Sequence, residues 1–156
     1  MKVFFLLITA FAMSKNVDAI GPILTFHTDY CTNSPEGTFR RPELWKHCCL
    51  IHDLYFWSGG SRKDRDEAEK KLKSCVSDMG AHRVAQLMFI AVRAGSYSPI
   101  KYSKKKWNHG WKDRPDFLPL AIEDIDLIES ELTQEYEYIP NKIKDDFIWS
   151  LYSRLE

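Results

Sequence analysis

The chain has no excess of charge. Lys and Arg together number 22, as do Asp and Glu, across 156 residues. A nucleic-acid partner, which would call for a basic stripe, is therefore not expected. No apolar run is long enough to span a bilayer, which takes about 20 residues; the longest lies within residues 3–13. No internal repeat and no low-complexity tract is present, and the length suits one domain at most. Glycine and proline are scarce, at 7 each, so the few present mark breaks between elements.

The start of the chain reads as a secretory signal peptide over residues 1–19. A short basic start, Met1-Lys2, precedes the apolar run. Val17-Asp18-Ala19 fits a small-residue cleavage site, and Ala10-Phe11-Ala12 is a competing one. The expected location is secreted or periplasmic. In that setting the four cysteines, Cys31, Cys48, Cys49 and Cys75, read as disulfide partners. Three connectivities are open to four cysteines. A bond between the neighbours Cys48 and Cys49 would be strained on a helix, which leaves two. The rival reading is a zinc cluster of His47, Cys48, Cys49 and His52. Adjacent cysteines are poor ligand spacing, and an oxidising compartment opposes free thiolates.

The fold class expected is all-α. Residues 21–41 are rich in turn formers. Pro42-Glu43 should open a helix running to about residue 57, stopped by Ser58-Gly59-Gly60. Ser61 and Asp64 form a capping box that starts the next helix. Its face of Ala68, Leu72, Cys75 and Val76 should turn inward. Its Asp66/Lys70, Glu67/Lys71 and Glu69/Lys73 pairs sit at surface spacing. Gly80 ends it. A third helix, residues 81–94, carries Val84, Leu87, Met88, Ala91 and Val92 at helical spacing. Two more are expected over residues 120–134 and 140–154. Their stripes are Ile122, Ile125, Ile128 and Leu132, then Ile143, Phe147 and Leu151.

The most telling run is His47-Cys48-Cys49-Leu50-Ile51-His52-Asp53. Residues three or four apart on a helix share a side. Two cysteines can therefore anchor the helix while His52 and Asp53 address one cleft. Neighbours on a helix diverge by about 100°. One residue can face a substrate water while the other holds a cation beside it. Histidine is the usual general base, and aspartate is a hard oxygen ligand.

Cys-Cys-x-x-His-Asp resembles the active-site helix of the secreted phospholipase A2 family. The likeness runs from Asp29 to about Cys75 and continues more weakly to about Gly95. It implies a disulfide-linked antiparallel helix pair with a calcium loop in a domain of residues 20–114. Residues 115–156 would form a helical extension packed on it. It implies the bonds Cys31–Cys49 and Cys48–Cys75. It implies calcium held by Asp53, Asp29 and the Tyr30 carbonyl, with Asp29 a feature of the short bacterial and fungal forms. His52 would deprotonate a water that attacks the ester at the glycerol 2-position of a phospholipid. The group that orients this histidine stands six residues before the second helix's cysteine, which here is Glu69 where the family has Asp.

Three departures accompany the likeness. The loop has Thr32, Asn33 and Ser34 where animal forms are glycine-rich. A bridge of animal forms is missing at both ends, at Tyr55 and Ala68. A tyrosine that supports the orienting carboxylate is replaced by Phe56, with Tyr55 one position off. The alternative function is a non-catalytic protein on the same scaffold that binds a membrane or another protein. Residues 101–114 are basic and aromatic. Lys104, Lys105, Lys106, Trp107 and Trp111 are the expected contacts with a phospholipid surface. The competing reading has these aromatics covering the helices.

Overall fold

The computed structural model describes residues 21–32, 34–97, 106–134 and 136–155. The signal-peptide reading and Lys104 and Lys105 lie outside the described residues. Among those described, the regular structure is helical: α1 (Lys46–Ser58), α2 (Arg62–Asp78), α3 (His82–Tyr97), α4 (Ile122–Thr133) and α5 (Asn141–Tyr152). Among the described residues, extended pairing is confined to two isolated bridges, Ile23 with Trp111 and Thr38 with Arg41.

α1 starts four residues later than Pro42 suggests. The chain turns at residues 42–45 because Trp45 is needed elsewhere. Its backbone N–H donates to the Glu36 carbonyl at 2.9 Å, and its indole N–H to the Pro35 carbonyl at 2.7 Å. The helix ends at Gly59, whose φ of 75° suits a residue without Cβ. α2 opens with the capping box read from sequence. The Ser61 hydroxyl accepts from the Asp64 N–H, and the Asp64 carboxylate accepts from the Ser61 N–H at 2.7 Å. α3 runs three residues past the expected end.

α1 packs on α2, α2 on α3, and α5 on both α4 and α1. Two apolar clusters result. The larger holds Phe26, Leu54, Trp57, Trp107, Trp111, Ile125, Ile128, Leu132, Phe147 and Leu151. The C-terminal helices thus share one core with α1. The smaller cluster gathers Trp45, Leu72, Val76, Ala85 and Met88 around the cysteines.

The stripe expected of α3 is corrected. Leu87 is 68 % exposed and Ala91 is exposed, whereas Ala85 and Met88 are buried. On α4, Ile122 is exposed, and Ile125, Ile128 and Leu132 carry the contact.

The tryptophans of the basic tract are also corrected. Trp107 and Trp111 are buried and close the end of α1. The Trp107 indole donates to the Gly60 carbonyl at 2.9 Å and the Trp111 indole to the Ser58 carbonyl at 2.8 Å. Gly110 N–H donates to the Trp57 carbonyl at 3.0 Å. The last carbonyls of a helix lack partners inside it, and here a distant segment supplies them. A Cβ on Gly110 would stand 2.6 Å from the Trp57 ring, so only glycine allows this approach. Lys106 is exposed and pairs with Asp116 at 3.5 Å.

Candidate functional site

The four cysteines form two bonds, Cys31–Cys49 and Cys48–Cys75, and no described cysteine is free. The first fixes the loop before α1 to that helix. The second joins α1 to α2. This removes the zinc reading, because sulfurs bonded to each other are not thiolate ligands. The His47 ring sits against the second bond, with Nε2 3.5 Å from Cys48 Sγ and 3.6 Å from Cys75 Sγ. Among the described residues, these three are the one His/Cys/Asp/Glu group with ligand atoms within 4.8 Å of one another.

The loop of residues 28–32 meets α1 at Asp53. Asp53 is buried, and its Oδ2 accepts from the Thr28 hydroxyl at 2.6 Å. Thr28 Oγ1 in turn accepts from the Tyr30 N–H at 2.9 Å. Tyr30 has a φ of 56°, the left-handed region that non-glycine residues rarely enter. The neighbouring bond, Cys31–Cys49, restrains the chain in that conformation. Asp29 is exposed, and its Oδ1 accepts from the Thr32 hydroxyl at 2.6 Å. The Tyr30 carbonyl accepts from the Thr32 N–H at 3.0 Å. Tyr138 covers the same region. Burial, and then the nearby Tyr30, push its phenol above the ordinary value.

His52, one residue before Asp53, faces elsewhere. It lines a cavity of about 280 Å³ bounded by α1, α2 and α5, with Ile51, Ala68, Leu72 and Phe147 as apolar walls. Its ring lies 4.4 Å from that of Phe56, tilted by 34°. Adjacent residues on one helix thus look in two directions, toward the loop and toward a cavity.

Tyr55 does not turn toward Glu69. Its hydroxyl is 2.7 Å from Ser150 Oγ on α5 and accepts from Lys71 Nζ at 2.7 Å. Glu69 is fully buried, not on the surface with Lys73. Its Oε2 is 3.0 Å from Arg93 Nε, and its Oε1 is 3.9 Å from Arg65 Nε. Asp66 likewise pairs across to α3, with Arg93 at 3.3 Å. Lys73 Nζ stands 5.2 Å from the centre of the Phe89 ring instead. The surface pairs expected at Asp66/Lys70 and Glu69/Lys73 give way because Arg93 reaches both carboxylates from α3. Sequence reading missed Arg93, Arg65, Lys71 and Ser150. The partners of Arg93, Lys71 and Ser150 lie on other elements, so no local spacing announces them. Arg65 stands four residues before Glu69 on α2, a spacing that could have announced it.

No family model, curated protein or solved structure matches this chain. The geometry therefore carries the functional argument. The Thr28 hydroxyl is the oxygen donor bonded to Asp53, while the Asp29 carboxylate and the Tyr30 carbonyl are engaged with Thr32. No described helix is long and apolar enough to cross a membrane. The two disulfides are compatible with an exported protein, since such bonds persist in oxidising compartments.

Proposed function

We propose that this chain is an exported, calcium-dependent hydrolase of the phospholipase A2 kind, acting on the glycerol 2-position ester of phospholipids. One observation carries the reading. The loop bonded to α1 sets an oxygen donor on buried Asp53, while the adjacent His52 opens into a cavity. A candidate metal carboxylate, facing the loop, and a candidate general base, facing the cavity, would then be neighbours on one helix.

The short connection through Gly59 and Gly60 turns α2 back along α1. From the Cys48–Cys75 bond, His52 lies about 6 Å along its helix axis and Glu69 about 9 Å along its own. The two side chains are then nearly level on facing helices, which suits Glu69 to orient the imidazole. His52 takes a proton from water as that water attacks the ester carbonyl. Asp53, Asp29 and the Tyr30 carbonyl would hold calcium. When bound, the ion supplies positive charge for the phosphate and the developing oxyanion. The substrate lies in a phospholipid surface.

The second reading is a non-catalytic binding protein on this scaffold. The Thr28 hydroxyl already satisfying Asp53 Oδ2 favours it, because a cation would compete with that bond.

Hydrolysis of mixed phospholipid vesicles, with calcium or with chelator, separates the two. The enzyme reading expects hydrolysis with calcium only, and its loss in His52→Gln with the fold retained. Asp53→Asn should weaken calcium binding measured by calorimetric titration far more than it weakens folding. Vesicle binding without hydrolysis would favour the second reading.

A further inference from the structure

Arg93 stands out among the charged groups that this mechanism leaves unused. It comes from α3, an element with no assigned part in the site, yet it reaches the buried carboxylate of Glu69 on α2. Three contacts fix its guanidinium. The Phe89 ring lies 5.2 Å from it one helical turn back, Asp66 pairs with it at 3.3 Å, and Glu69 at 3.0 Å. The Nε contact with Glu69 is an ion pair rather than an aligned hydrogen bond. From the other side, Arg65 approaches Glu69 Oε1 at 3.9 Å, its own guanidinium 5.0 Å from the centre of the Phe117 ring. Two guanidinium groups thus approach a carboxylate with no exposure, and Asp66 shares one of them. Tyr55, the one phenol on α1, sends its hydroxyl to Ser150 and Lys71.

We infer that Arg93 is a positioning residue, which fixes the Glu69 carboxylate and through it the ring of His52. The inference rests on the proposed role of Glu69. A guanidinium presents several donors in one rigid plane, so it can set a carboxylate's orientation as well as its charge environment. Burial gives that orientation few alternatives, since a turned carboxylate would leave its partner's charge uncompensated. α3 thus becomes part of the catalytic apparatus without touching substrate. Its attachment to α2 controls the angle at which the base meets its water.

The test uses the full chain with both disulfides formed, and four variants: Arg93→Gln, Arg93→Lys, Asp66→Asn and Glu69→Gln. Two readouts are taken, kcat and KM on phospholipid vesicles and the His52 tautomer from ring ¹⁵N shifts. Arg93→Gln should lower kcat by about tenfold or more, as loss of an outer partner of a functional group does, with KM unchanged. It should also shift the tautomer in the same sense as Glu69→Gln. Arg93→Lys should recover part of both, and Asp66→Asn should move both least. A purely structural Arg93 would lower the melting temperature and leave the tautomer alone. The inference is overturned if folded Arg93→Gln matches the parent in kcat and tautomer while Glu69→Gln changes them. Should Arg93→Gln fail to fold, the inference is equally overturned by Arg93→Lys and Asp66→Asn both matching the parent. If Glu69→Gln itself moves neither readout, the role of Glu69 falls first and that of Arg93 with it.

Discussion

The two sides of α1 are held by different means. Toward α4 and α5, the helix rests on large side chains: Trp57, Phe26, Trp107 and Trp111, with the isoleucines of α4 and Phe147 and Leu151 of α5. No cysteine lies there. Toward α2 and α3, the buried side chains are fewer and mostly smaller, and both disulfides lie among them. Where apolar volume is ample, burial alone fixes the helix. Where it is scant, covalent bonds restrict the unfolded chain instead. His52 and Asp53 sit at the boundary, on the one helix that both sides grip.

The largest effect should come from the side held by burial. Trp57 is fully buried in the larger cluster, and Trp57→Ala should cost about 3–5 kcal/mol. Chemical denaturation with the disulfides intact measures it. A loss under about 1 kcal/mol, far below the usual cost of such a truncation, would mean that the bonded side alone holds the molecule. Replacing Cys48 and Cys75 together by serine should cost about 3 kcal/mol. The near-ultraviolet circular dichroism of the buried tryptophans should survive that change. Its disappearance would show that the two sides unfold as one.

The smallest effect concerns pH. Burial, followed by a hydrogen bond to Glu131, pushes the phenol of Tyr136 up from 10.0 to about 12. The folded state then holds this proton more tightly than the unfolded chain. The contribution is complete below pH 10 and is lost as pH rises toward about 12. The melting temperature should fall across that window, and Tyr136→Phe should flatten the fall. An unchanged slope would place the alkaline sensitivity elsewhere.

What was legible in the sequence is what is local. Ser61 and Asp64 announce their capping box because both members of the bond lie within one turn. Gly59 and Gly60 announce the end of α1 because φ values of 75° and 124° favour glycine. Ile125, Ile128 and Leu132 announce a buried face because their spacing is helical. The remainder depends on partners far along the chain. Trp107 and Trp111 among lysines read as membrane contacts or as a cover on the helices, and only their indole bonds to carbonyls 47 and 53 residues away decide for the cover. Leu87 shares a helical period with Met88's face and still points to solvent, because α2 meets α3 along Ala85 and Met88. Glu69 has a lysine at surface spacing and takes arginines instead, because it is fully buried and Arg93 reaches it from α3. In the candidate site, the run from His47 to Asp53 displays the chemistry itself. The groups around it from α2, α3 and α5 appear only once the chain has folded.

The closure of α1 by residues 107–111 bears on the order of assembly. When α1 and α2 have left the ribosome, the carbonyls of Trp57, Ser58 and Gly60 still lack the donors that satisfy them in the finished molecule. All four cysteines are available by then, since the last stands at position 75. Covalent bonding of the first half can therefore precede completion of its central helix. That completion waits for a segment some fifty residues downstream, and contacts of such separation slow folding. A nascent chain interrupted between residues 75 and 107 would carry both bonds and an unfinished α1. It would be cross-linked before it is folded.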